Sequence, residues 1–206
     1  MPTFSAAATS GAGGPAARPT GLPGDCSTVL SVDDLGALFG LPIGSVAVST
    51  IRGVPAPSVG RTERVACSYT RSDAGAGKLL DVNIGRFTDE AAANGQWKVN
   101  SAAERSGGGT VTDVSIGDAV AVLIERPTES TLLVAYRLDT LTFVLPARAA
   151  GGRPAQDVLV DLAKRIIPVT AATMPTTTPV PPPAAPSAPQ STGAARPGSG
   201  ALGPQS

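Results

Sequence analysis

Between about Asp25 and Pro168 the apolar positions switch between a helical and a strand-like period, and each change of period marks a new element. Ser31 followed by Asp34 reads as a capping arrangement. Asp33 and Asp34 fall in the first turn, Leu35, Leu38 and Phe39 form an apolar face, and Gly40 and Pro42 supply the stop, so a helix is predicted over Val32 to Phe39. Val46 to Ile51 then alternates. Val65, Cys67 and Tyr69 share one face of a strand over Arg64 to Thr70, and Leu80, Val82 and Ile84 repeat the pattern after the turn Asp73 to Gly77, which predicts a hairpin. Thr88 is the expected cap of a second helix, with Asp89 and Glu90 in its first turn, Trp97 as its anchor and Gly107 to Gly109 as its end.

Strands are predicted next over Thr110 to Val114 and Ala119 to Glu125, separated by Gly117-Asp118. A further alternating run, Leu132, Val134, Tyr136 and Leu138, is expected to turn through Asp139-Thr140 into Leu141, Phe143 and Leu145. Ala155 to Ile167 carries Val158, Leu159, Leu162, Ala163 and Ile166 on one helical face, with Pro168 as the expected stop. The order αβββαβββα predicts a single α+β domain, with an antiparallel sheet of about six strands and helices packed on one or both faces.

The flanks contrast with this pattern. Residues 1–24 hold Phe4 and Leu22 as their only large apolar side chains, and residues 169–206 are dense in Pro, Thr and Ala, so neither buries enough apolar surface to offset its ordering entropy. Both are expected to be disordered spacers around a domain at 25–168. Thr176, Thr177 and Thr178, ahead of Pro179, form the kind of Thr/Pro stretch that is O-glycosylated on secreted chains; the alternative is an unmodified linker.

Arg18 and Arg196 are the only basic residues in the flanks, which leaves 14 in the domain against all 16 acidic ones, a net of about −2. That balance lacks the basic footprint of a nucleic-acid binder. No apolar run approaches the roughly 20 residues of a transmembrane helix, and Ser5 to Pro15 is too polar for a secretory signal. The expectation is an extracytoplasmic protein, secreted or held at the cell envelope, with any signal or anchor encoded upstream of Met1; if Met1 is the true start, the alternative is a cytoplasmic protein. The two cysteines, Cys26 and Cys67, frame the start of the domain and are expected to form a disulfide, against the alternative of two buried thiols in a cytosolic protein.

A cysteine before a Leu-Ser-Val-Asp-Asp-Leu helix ending in Gly40, a second in Cys67-Ser68-Tyr69, the Val114 to Ala119 stretch Val-Ser-Ile-Gly-Asp-Ala and a final amphipathic helix together resemble actinobacterial secreted proteins and lipoproteins classed as a domain of unknown function. Such proteins are similar to small envelope lipoproteins and to the ligand-binding ectodomains of mycobacterial sensor kinases. The resemblance spans about Asp25 to Pro168 and brings no catalytic residue set with it. The lipoprotein members carry a signal and lipobox ahead of this cysteine, a pattern that residues 1–25 here do not show, so the resemblance does not carry lipidation over as an expectation.

Histidine is absent, which removes Ser-His-Asp and Cys-His catalysis and imidazole–metal sites. Two cysteines do not supply four zinc ligands. The glycine clusters at Gly75 to Lys78 and Gly107 to Thr110 lack the strand-to-helix setting of a phosphate loop and read as turns. Asp113, Asp118, Glu125 and Glu129 are the remaining candidate acid–base groups, and solvated turn or edge carboxylates are the simpler reading. Ser27, Ser31 and Ser115 have no evident base. Trp97, Tyr69, Tyr136 and Phe143 are candidates for an apolar ligand pocket, with core packing as the simpler reading. The sequence therefore favours a non-enzymatic envelope module that needs no cofactor or metal and binds a protein, lipid or glycan partner. The rival is an envelope hydrolase or transferase using carboxylates or a hydroxyl.

Overall fold

The computed structural model describes residues 21–40, 44–72, 77–150 and 152–175; Thr176, Thr177 and Thr178 lie outside them, as does most of the Asp73 to Gly77 turn. Helices α1 (Val32–Phe39), α2 (Glu90–Ser106) and α3 (Ala155–Ala171) pack on a sheet of seven strands: β1 (Val46–Gly53), β2 (Arg61–Arg71), β3 (Gly77–Phe87), β4 (Thr110–Ile116), β5 (Ala119–Glu125), β6 (Glu129–Tyr136) and β7 (Asp139–Pro146). The α+β class is as expected. The strands number seven because the run from Leu132 to Leu145 supplies two strands after β4 and β5, where the αβββαβββα order allowed one.

All pairings are antiparallel, in the order β1-β2-β3-β7-β6-β5-β4. Two meanders, β1 to β3 and β4 to β7, join where β3 pairs with β7. Helix α2 carries the chain from the middle of the sheet to its far edge. One sheet face is buried beneath α1, α3 and the turn at Cys26–Thr28, with Tyr69, Leu80, Ile84, Leu123, Leu132 and Phe143 in its core. Among the described residues the other face carries α2, whose Trp97 packs on Val122, Ile124 and Leu133. The strand sequences reflect this unequal cover. β5 and β6, covered on both sides, are buried over nearly their whole length, whereas β2 alternates buried and open positions.

The α1 capping box forms as predicted. Ser31 Oγ accepts from the Asp34 N–H at 3.1 Å, and the Ser31 N–H donates to Asp34 Oδ2 at 3.1 Å. Arg165 of α3 reaches the other carboxylate oxygen at 3.0 Å. Hydrogen bonds from the Ser31 hydroxyl and amide, and then the Arg165 charge, hold the Asp34 carboxyl below its usual value. A depressed carboxylate contributes stability above its unfolded pKa of about 3.9 and loses it as pH falls through the lower folded value. Asp34→Ala is therefore expected to cost about 1 kcal/mol at pH 7, with the gap to wild type closing below about pH 4. Urea unfolding across that range checks it, and a gap independent of pH would refute the assignment.

Three local expectations need correction. The N-cap of α2 is Asp89, whose Oδ1 accepts from the Ala92 N–H at 2.8 Å, while the Thr88 hydroxyl is turned to the Asp89 carboxylate at 3.2 Å. Helix α3 runs through Pro168 to Ala171. Pro168 and Lys164, whose carbonyl loses its partner, both lie on the exposed side, and Arg86 grips the last turn by donating to the Thr170 carbonyl at 2.8 Å. The β6–β7 turn is Arg137-Leu138, so that Asp139 pairs with Tyr136 inside the ladder. Arg137 adopts φ 51°, and its guanidinium lies over the Tyr136 ring. At the other end Leu22 is buried, with its N–H on Glu63 Oε2 at 2.9 Å. Among the described residues no helix is long and apolar enough to cross a membrane.

Candidate functional site

Helix α2 covers only part of its sheet face, and a cleft of about 400 Å³ opens between it and strands β2, β3 and β7. Its floor is made by the positions of those strands that alternate with the buried core. Arg64 on β2, Asn83 and Gly85 on β3, and Thr140 and Thr142 on β7 point away from the core that Val65, Val82, Ile84, Leu141 and Phe143 fill. The wall is α2, which supplies Gln96, Asn100, Ala103 and Glu104.

Arg61 reaches the same cleft by a local irregularity. Residues three apart on a regular strand face opposite ways, yet Arg61 and Arg64 both line the cleft. The β2–β3 register slips between Arg61, opposite Phe87, and Glu63, opposite Arg86, and the extra residue turns Arg61 to the α2 side. Gly85 leaves room for it. A Cβ there would come within 3.2 Å of Thr140 Oγ1, 3.3 Å of the Phe87 ring and 3.6 Å of Arg61 Cδ, so three side chains converge over a bare backbone.

Most polar groups of the cleft are paired within it. Arg64 Nη2 donates to Asn83 Oδ1 at 2.9 Å, and Gln96 Nε2 to Asn100 Oδ1 at 2.8 Å. Glu104, the cleft's carboxylate, accepts from Arg126 at 2.8 Å. Arg61 differs. Its Nε is buried without a hydrogen-bond partner, and its guanidinium has no ion pair among the described residues.

The candidates read from the sequence fall elsewhere. Tyr69 and Phe143 are fully buried on the α1/α3 side and Tyr136 packs at that core's margin, whereas Trp97 lies on the opposite face with its Nε1 donating to the Leu133 carbonyl at 3.1 Å. The sheet separates them. None of the four lines the cleft, although Leu133, under Trp97, does. The Tyr69 hydroxyl donates to the Cys26 carbonyl at 2.8 Å, and burial, followed by the charge of Asp25, drives its pKa far upward. Cys26 and Cys67 are joined in a disulfide, with Cα atoms 5.5 Å apart.

None of the candidate carboxylates lines the cleft either. Asp113 and Asp118 are exposed, Asp113 standing 3.4 Å from Arg105 and Asp118 in the β4–β5 turn. Asp118 and Glu125 flank the length of β5, more than about 20 Å apart at the rise of a strand. Glu129 lies 3.9 Å from Arg126, and Ser27, Ser31 and Ser115 are exposed. Among the described residues no cluster of three acidic or cysteine side chains could hold a metal ion.

The sequence reading missed Arg61, Arg64, Asn83, Gln96 and Asn100. A signal was present in the polar alternates of β2 and β3 and in the Gln96/Asn100 pair, which lies one helical turn apart on a helix with few apolar residues. No protein-family model matches the chain, and no curated protein does. Among solved structures the chain is similar to the extracellular domain of PknH from Mycobacterium tuberculosis, at 10% sequence identity, covering 71% of this chain and 95% of that one, with a TM-score of 0.44.

Proposed function

We propose that the chain is a non-enzymatic binding module of the extracellular space or cell envelope, and that it holds a small polar ligand in the cleft beneath α2. The observation that carries this reading is the preformed cleft itself, lined by Arg61, Arg64, Asn83, Gln96, Asn100 and the threonines of β7. A wall of amides, hydroxyls and guanidinium groups suits a glycan-like or other polar ligand better than a lipid tail, which would leave those groups unpaired. The Cys26–Cys67 disulfide supports an oxidising compartment. The rival hydrolase or transferase would need two carboxylates about 5 to 10 Å apart in a cleft. Asp113, Asp118, Glu125 and Glu129 lie outside this one.

Ala103 sits on the exposed side of α2 at the cleft wall, where a large side chain fills the opening without entering the core. A panel of small sugars, sugar acids and amino acids, screened by ligand-observed NMR, is expected to give binders to the wild type that Ala103→Trp loses. Binders retained in full by Ala103→Trp would place the ligand elsewhere and overturn the proposal.

A further inference from the structure

The cleft's pairing is unbalanced, and the imbalance has a sign. Among the lining residues the one carboxylate, Glu104, is held by Arg126, Arg64 bonds only the neutral Asn83 and Arg61 has no ion pair among the described residues, so the charge left over in the cleft is positive, beside the neutral Gln96, Asn100, Thr140 and Thr142. The Arg61 guanidinium lines the cleft with no ion pair among the described residues, and its buried Nε has no partner in the chain, so nothing within the fold neutralises this charge. A fork of adjacent N–H groups matches an oxyanion that offers two oxygens in one plane.

We infer that the ligand of this cleft is an anion, a carboxylate or phosphate group on a sugar-sized polar body, and that Arg61 is the residue that recognises its charge. This inference rests on the cleft reading above and adds the ligand's chemical class. The register slip in β2 is then the device that makes the site, since a regular strand would send Arg61 to the other face. Arg64 stands beside it, oriented by Asn83, and adds a second positive charge at the more exposed end. Gly85 keeps the floor low enough for the oxyanion to reach the guanidinium plane.

The test uses the full ¹⁵N-labelled chain titrated separately with glucuronate, glucose 6-phosphate and glucose, at concentrations that reveal millimolar binding. The amides of Asn83, Gly85, Asn100 and Thr140 are expected to shift with at least one of the two anions and not with glucose; which anion acts distinguishes carboxylate from phosphate. Arg61→Gln should weaken that binding by about tenfold or more. Arg61→Lys should recover little of it, because a lysine keeps the charge without the fork. Unchanged amide positions around Cys67 and Asp139 would establish that both variants keep the fold. Equal shifts with glucose, or wild-type affinity in Arg61→Gln, would overturn the anion inference and leave the cleft reading standing. Shifts confined to another surface, or none with any of the three, would overturn both.

Discussion

Asp139→Ala is expected to destabilise the domain by about 3 to 5 kcal/mol, a large share of the 5 to 15 that a domain of this size has. Asp139 is fully buried and Arg86 is 3% exposed. The carboxylate accepts from Arg86 Nε at 2.8 Å and Nη2 at 2.9 Å. The rest of the guanidinium is spent on the end of α3, donating to the carbonyls of Thr170 and Thr173, each at 2.8 Å, and to Thr173 Oγ1 at 3.1 Å. Removing Asp139 leaves this charge buried and unbalanced. The cost comes from that orphaned charge more than from any net gain in forming the pair. Ending the chain at Pro168 should also destabilise, since it removes Thr170 and Thr173 while leaving the ion pair. Urea unfolding monitored by Trp97 checks both variants; a loss below about 1 kcal/mol in Asp139→Ala would show that the site relaxes or admits water.

That clasp also marks where the sequence stopped being informative. The α1 box was legible because every part of it lies within ten residues, from Ser31 to Gly40, and the apolar faces of β2, β3 and α3 were legible from period alone. Asp139 was read as a turn residue because Leu132, Val134, Tyr136 and Leu138 continue an alternation that runs past the true turn. The chain instead reverses at Arg137-Leu138, with Arg137 in left-handed backbone that a glycine or asparagine would have announced. The partner of Asp139, Arg86, is 53 residues away in sequence, and only the β3–β7 pairing brings them together. The cleft was hidden for the same reason. Its residues come from β2, β3, α2 and β7, and its defining side chain depends on a register slip that period-two reasoning does not contain. The contacts of Leu22 and Thr173 were not legible either, because they are made to Glu63 and Arg86, far away in sequence, and composition does not record them.

The Cys26–Cys67 bridge, in contrast, was legible from two residues and should account for a stabilisation of similar size. It closes a 41-residue separation, which in the chain-entropy account restricts the unfolded chain by about 4 kcal/mol. In the folded domain it ties the short turn ahead of α1 to the middle of β2, and other bonds reinforce the junction: the Cys26 N–H donates to Thr50 Oγ1 at 3.0 Å, and Tyr69 OH reaches the Cys26 carbonyl. Both sulfurs belong to buried residues, so reductant should act slowly on the native protein and quickly once it unfolds. A Cys26→Ala/Cys67→Ala variant is expected to lose about 4 kcal/mol and to melt roughly 8 to 16 °C lower. Tyr69→Phe, which keeps the bridge but removes its neighbouring hydrogen bond, should lose only about 1 kcal/mol. Thiol counting on the denatured, unreduced protein gives the independent check. Two free sulfhydryls there, or a double variant as stable as the wild type, would remove the bridge from the account and with it the support it lends to an extracytoplasmic site of action.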